Sequence, residues 1–211
     1  MKKSVAVASV ALVGLLFGFW YFSGWGSPSK ISPRAAGTVI AFGDSLTEGT
    51  GASPGNDYPA ILSRKFNIQI VNAGRAGDTT TVALDRLDRD VLAKDPRLVM
   101  VFLGGNDILR QIPKATTFEN LRAILGKLQK KGAAVLLIGF EQGRPLDSYG
   151  RAFADLAKEK NVEFIPDILG GVYGHPELMS DELHPNDKGY AMIANRIEPV
   201  LRSMLRSAKS Q

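Results

Sequence analysis

Four short polar segments carry the residue types that hydrolytic chemistry needs. The first, Gly43-Asp44-Ser45-Leu46-Thr47-Glu48-Gly49, places a serine directly after a run of apolar residues. A serine just past a strand end can hold its hydroxyl in a cleft while its own N–H faces the same space. Gly43 would let the chain turn sharply there. The segment is not the G-x-S-x-G elbow of lipases, because Thr47 stands two residues after the serine. The second segment runs from Asn72 through Gly74 and Gly77 to Thr79. Its two glycines allow close approach of a ligand, and Gly77 could aim its N–H at a substrate oxygen. The G-x-G-x-x-G of dinucleotide loops is absent. The third segment is Leu103-Gly104-Gly105-Asn106-Asp107, where the Asn106 amide is a good donor to an oxyanion. The fourth is Ser180-Asp181-Glu182-Leu183-His184-Pro185.

Taken singly, each segment also reads as an ordinary turn, loop or capped helix start. Together they say more. A serine hydroxyl is a poor nucleophile at neutral pH and needs an adjacent base. The chain has two histidines. His184 has Asp181 three positions earlier, within reach of its Nδ1–H, to fix the tautomer and stabilise the imidazolium. His175 has Val172 at that position and lies in a Gly- and Pro-containing stretch, which reads as surface. A nucleophile, a base with its own orienting acid and two oxyanion donors point to acyl transfer to water.

The elements that must position these residues are legible as alternating patterns. Short apolar runs at 38–42, 68–72, 98–103, 134–139 and 163–165 predict strands. Several are rich in Val, Ile and Leu throughout, as strands covered on both faces are. Longer stretches at 58–66, 80–93, 117–131, 147–161 and 187–207 predict helices. In the third, Leu121, Ile124, Leu125 and Leu128 recur at helical spacing. Such alternation predicts a parallel sheet with helices on both faces, and ligands then bind beyond the carboxyl ends of the strands.

Ahead of this pattern, Lys2 and Lys3 precede an uncharged apolar run from Val5 to Trp25, with Trp20, Tyr21 and Trp25 at its far end. About 20 apolar residues span a bilayer as helix, and aromatic residues favour its interface. Residues 1–26 are therefore expected to be an apolar helix serving as signal-anchor or signal peptide. Residues 27–37 follow as a Ser-, Pro- and Gly-rich linker, 38–207 as the catalytic domain and 208–211 as a tail. Export is expected, to the periplasm or the outer face of the inner membrane. The segment would hold the protein to the membrane if it is uncleaved.

The net charge of +5 does not mark a nucleic-acid binder. With Lys2, Lys3, Lys30 and Arg34 set aside, 22 basic residues face 21 acidic ones. The absence of cysteine excludes disulfides, thiolate metal sites and lipoprotein-type anchoring.

In this order the four segments resemble the sequence blocks of the SGNH or GDSL hydrolases. Within that family they are most similar to the bacterial arylesterase and acyl thioesterase I/lysophospholipase L1 branch. The likeness runs from Thr38 to the last helix and leaves the first 37 residues outside. It implies an α/β class fold, a three-layer α/β/α sandwich with a five-stranded parallel sheet of flavodoxin-like type. It also implies roles. Ser45 is the nucleophile, His184 the general base and then acid, and Asp181 the residue that orients it. The Ser45 N–H, the Gly77 N–H and the Asn106 side chain form the oxyanion hole, while Asp44 and Asp107 position loops. No metal or organic cofactor is required. The partner is a small-molecule or lipid acyl ester: an aryl ester, an acyl thioester or a lysophospholipid. One departure bears on specificity: the segment Phe140-Glu141-Gln142-Gly143-Arg144-Pro145 differs from the thioesterase branch, and the region before Tyr149 looks shortened. Two other readings stay open. One is a cell-envelope carbohydrate O-acetylesterase, which needs only a small acyl pocket. The other is a catalytically silent envelope binding module on the same fold.

Overall fold

The computed structural model describes residues 30–141 and 148–207. The expected apolar helix at 1–26 and tail at 208–211 lie outside the described residues, as do residues 142–145 of the divergent segment 140–145. Among the described residues, no helix is long and apolar enough to cross a membrane.

Five strands form one sheet: β1 (Thr38–Gly43), β2 (Ile70–Gly74), β3 (Pro96–Phe102), β4 (Ala134–Ile138) and β5 (Glu163–Ile165). Every pairing is parallel and the order is β2-β1-β3-β4-β5. The helices are α1 (Ser45–Glu48), α2 (Tyr58–Phe66), α3 (Thr80–Asp90), α4 (Gly105–Leu109), α5 (Lys114–Lys130), α6 (Ser148–Lys160) and α7 (Asp187–Ser207). Helix α5 packs against α3 and α6 on one side of the sheet, and α2 packs against α7 on the other. The result is the expected three-layer sandwich. Val39 to Phe42, Leu98 to Phe102 and Ala134 to Ile138 are all buried, which explains their unbroken apolar character.

The strand order fixes where a ligand fits. From β1 the chain moves outward to β2, then crosses back over β1 to β3. Loops leaving β1 and β3 therefore diverge to opposite faces and open a crevice at the carboxyl edge. Ser45 follows β1 and Asn106 follows β3.

Element bounds differ from the sequence expectation for local reasons. Strand β2 starts at Ile70 rather than Ile68, because Asn67 turns left-handed and Ile68 N–H closes onto the Ser63 carbonyl, ending α2. Helix α3 stops at Asp90, and Leu92–Lys94 tighten into a 3₁₀ turn. Helix α5 starts three residues early, at Lys114, behind Pro113. The short α1 and α4 were not foreseen, since four or five residues carry no periodicity.

Candidate active site

Asp44 sets the first turn after β1. Its carboxylate accepts the Leu46 N–H at 3.0 Å and so caps α1, which begins at Ser45. Gly43 is needed for a reason other than a sharp turn, because it does not lie in the left-handed region. A Cβ there would sit 2.1 Å from Thr47 Oγ1 and 2.4 Å from the Phe102 carbonyl. The backbone of α1 thus lies directly on the strand ends. Helix α2 holds it through Tyr58, whose hydroxyl is 3.0 Å from Thr47 Oγ1, and α7 through Tyr190, which donates to the Thr50 carbonyl at 2.8 Å.

Ser45 meets two side chains from far along the chain at this point. His184 Nε2 lies 3.1 Å from Ser45 Oγ. On the other side of the ring, His184 Nδ1 lies 2.8 Å from Asp181 Oδ2 and 3.0 Å from Oδ1. Asp181 Oδ1 also accepts the N–H groups of Leu183 and His184, each at 2.8 Å. The bond to His184 and then these two N–H groups hold the Asp181 carboxyl down at about 2. It is therefore ionised at neutral pH, which the exposure of its side chain to solvent also favours. His175 stands apart, exposed, with Nδ1 3.3 Å from Glu177 Oε1.

The expected oxyanion donors lie on the segments that follow β1, β2 and β3. The N–H groups of Ser45 and Gly77 have no hydrogen-bond partner among the described residues. Gly77 has φ +79°, a conformation that a side chain would strain. Asn106 donates from Nδ2 to the Asp78 carbonyl at 3.0 Å, which fixes the amide plane. A second, longer bond runs from Nδ2 to Asp44 Oδ2 at 3.4 Å.

Asp44 and Asp107 are both buried. Asp107 accepts the Thr80 N–H at 2.8 Å, the Thr80 hydroxyl and the Thr117 hydroxyl at 3.2 Å, which ties α4 to α3 and α5. Burial pushes the Asp44 carboxyl up to about 7, against the pull of the Leu46 N–H.

One supporting residue escaped the sequence reading. Arg86 is buried beneath the site and pairs with buried Asp78. Its Nη2 donates to the carbonyls of Gly43 at 3.0 Å and Ala73 at 2.9 Å. Its guanidinium also lies 4.6 Å from the Phe42 ring centre. One side chain thereby joins the ends of β1 and β2 to the loop that carries Gly77. The signal was present: Thr80, Ala83 and Leu87 form the buried stripe of α3, and Arg86 falls on it.

A cavity of about 550 Å³ opens beside the serine. Asp44 and Leu46, the neighbours of Ser45 on either side, line it together with Phe102, Ile108, Phe140 and Tyr173. Of its lining, Phe140 packs against Phe102 and Phe153 with ring centres 6.3 and 5.4 Å apart. Asp167 and Glu141 are the acids at its margin. Among the described residues, no cluster of three or more His, Asp or Glu could hold a metal ion.

Residues 41–192 match the model of the GDSL-like Lipase/Acylhydrolase family. The chain is 35% identical over 182 residues to thioesterase 1/protease 1/lysophospholipase L1 of Escherichia coli strain K12, covering 81% of this chain and 86% of that one. It is 29% identical over 182 residues to esterase TesA of Pseudomonas aeruginosa, covering 81% and 90%. A crystal structure of TesA superposes with a TM-score of 0.75 at 28% identity, covering 80% of this chain and 99% of that one.

Proposed function

The chain belongs to the GDSL-like lipase/acylhydrolase family, and from that membership we propose that it hydrolyses esters or thioesters of apolar acyl chains through an acyl-enzyme on Ser45. It is an SGNH/GDSL hydrolase acting on ester bonds. The further reading rests on the 3.1 Å contact between Ser45 Oγ and a histidine that is itself held by an ionised aspartate.

In the proposed reaction Ser45 Oγ attacks the acyl carbonyl carbon and its proton passes to His184 Nε2. The negative charge on the carbonyl oxygen is met by the N–H groups of Ser45 and Gly77 and the amide of Asn106. Asp181 stabilises the imidazolium and keeps Nε2 aimed at the serine. The tetrahedral adduct collapses as Nε2 returns the proton to the leaving alkoxide or thiolate. Water then attacks the acyl-enzyme with Nε2 taking its proton, and Ser45 leaves with that proton restored.

The size and lining of the cavity favour an acyl chain over acetyl. About 550 Å³ walled by Leu46, Phe102, Ile108 and Phe140 lies within the range of small-molecule pockets, roughly 300–1,000 Å³, and far exceeds a methyl group. Export by the N-terminal apolar segment, with retention on the membrane, is part of the same proposal. The test is a panel: p-nitrophenyl esters from acetate to palmitate, acyl-CoAs, a lysophospholipid and an acetylated glycan. The proposal expects kcat/KM to rise with chain length beyond acetate. A sharp preference for the acetylated glycan would overturn it in favour of an O-acetylesterase.

A further inference from the structure

The residues just before the domain lie across the sheet edge opposite the candidate active site. Lys30 pairs with Glu163 at the start of β5, at 3.1 Å. Ile31 sits in a shallow recess with Gln129, Val135 and Val162, beside the start of β4. Pro33 is buried. Arg34 binds Asp95 at 2.7 Å and the Pro96 carbonyl at 3.2 Å, at the start of β3. The strap then enters β1, where the Thr38 N–H bonds the Asp95 carbonyl. It therefore crosses the amino ends of β5, β4 and β3 in turn.

That edge is also basic. Lys94, Lys130, Lys131 and Lys158 are exposed there, at the ends of the helices or turns that lead into β3, β4 and β5. None of these four has an ion-pair partner among the described residues. Helix-end dipoles favour cations at such positions, and the strap along this edge continues in sequence from the apolar run. Trp25, the last residue of that run, is five positions from Lys30, and five extended residues reach at most about 18 Å.

We infer that the strap and the lysines around it form a face that docks on an anionic phospholipid bilayer, with the catalytic cleft pointing away into the aqueous compartment. The inference rests on the proposed membrane retention of residues 1–26. The length of β1 sets the separation. Six residues at about 3.3 Å each put Ser45 roughly 20 Å beyond the strap. Basic residues next to a membrane segment are drawn to anionic headgroups. The catalytic edge offers no such attraction, carrying exposed Glu177, Asp181 and Glu182 beside Arg75, Arg110 and Lys188. The consequence for function is a substrate that arrives through water rather than from the leaflet that holds the enzyme.

Because the chain has no cysteine, single labels are unambiguous. The full chain, as Lys131→Cys or as Leu109→Cys, is labelled with a fluorophore. It is then reconstituted into phosphatidylcholine vesicles carrying a headgroup quencher, with and without phosphatidylglycerol. Leu109 reports the cleft mouth, where it is 58% exposed. The label at position 131 is expected to be quenched several-fold more than that at 109. Phosphatidylglycerol should widen the difference, and Lys94→Glu with Lys130→Glu should remove that widening. Stronger quenching at 109, or equal quenching at both, overturns the inference while membrane retention stands. A chain that fails to float with vesicles overturns retention and inference together. Hydrolysis of a soluble p-nitrophenyl ester by the Lys131→Cys sample, labelled away from the cleft, reports separately on the proposed chemistry.

Discussion

Replacing Arg86 with methionine tests how the site is held together. Methionine keeps much of the apolar stem but removes every donor. Asp78, with its side chain 3% exposed, would keep its carboxylate and lose its cation. Gly43 and Ala73 would lose the Arg86 donor to their carbonyls, Gly43 keeping the Arg75 N–H at 3.1 Å. Breaking a buried pair from one side costs about 3–5 kcal/mol. A buried carbonyl left unpaired costs about 1–3 kcal/mol, but Gly43 keeps a donor and Asp90 is partly exposed with Arg89 beside it, so the expected loss stays near 3–5 kcal/mol. A domain of this size has roughly 5–15 kcal/mol in hand, so a loss of this size is a large and measurable share of it. Urea unfolding followed by far-ultraviolet circular dichroism measures the change. Adding Asp78→Asn removes the stranded charge, so the double variant is expected to recover at least about 1.5 kcal/mol over Arg86→Met alone, a coupling that independent sites would not show. The same change should lower kcat by about 10²–10³, the effect of losing one oxyanion donor. The loop that Arg86 secures carries both Gly77 and the Asp78 carbonyl that fixes Asn106. A loss below about 1 kcal/mol, or strictly additive costs in the double variant, would refute this account of Arg86.

Asp44→Asn keeps a capping side chain and removes a titrating group. Burial holds the Asp44 carboxyl at about 7, so between about 4 and 7 the native protein keeps a proton that the unfolded chain releases. Stability from this group is full below about 4 and is lost as pH rises to 7. The decline measured by urea titration at pH 5 and pH 8 should therefore be smaller in Asp44→Asn, and an equal decline would remove Asp44 as its source. Ile108→Trp places a larger ring on the cavity wall beside Asn106. It should cut kcat/KM for long p-nitrophenyl esters at least about tenfold while leaving the acetate within a few-fold. Equal losses on both esters would show that the acyl chain lies elsewhere.

Much of this was readable in the residues themselves. The central strands are apolar throughout because both faces are covered, so β1, β3 and β4 stood out. Helix α2 was located to its end residues, which Asp57 and Asn67 cap, and helix α7 to its first residue. The convergence of Ser45, Asp181 and His184 was expected from chemistry alone, since a serine needs a base and only one histidine brought an acid. What stayed hidden depends on three-dimensional neighbours. That a residue at Gly43 would collide with Thr47 follows from the seating of α1 on the strand ends, which no local pattern encodes. Arg86 looked like one more charged residue on an amphipathic helix until its burial beneath two strand ends was visible. The strap at 30–37 has the composition of a linker, yet its two charged side chains find partners on separate strand starts.

The central claim is that His184 activates Ser45 for attack on an acyl carbon. Treatment of the full chain with a fluorophosphonate, followed by intact mass and peptide mapping, tests it most directly. The account predicts a single adduct on Ser45, none in Ser45→Ala, and labelling slowed by orders of magnitude in His184→Ala. An adduct on another residue, or His184→Ala labelling as fast as the parent, would contradict it.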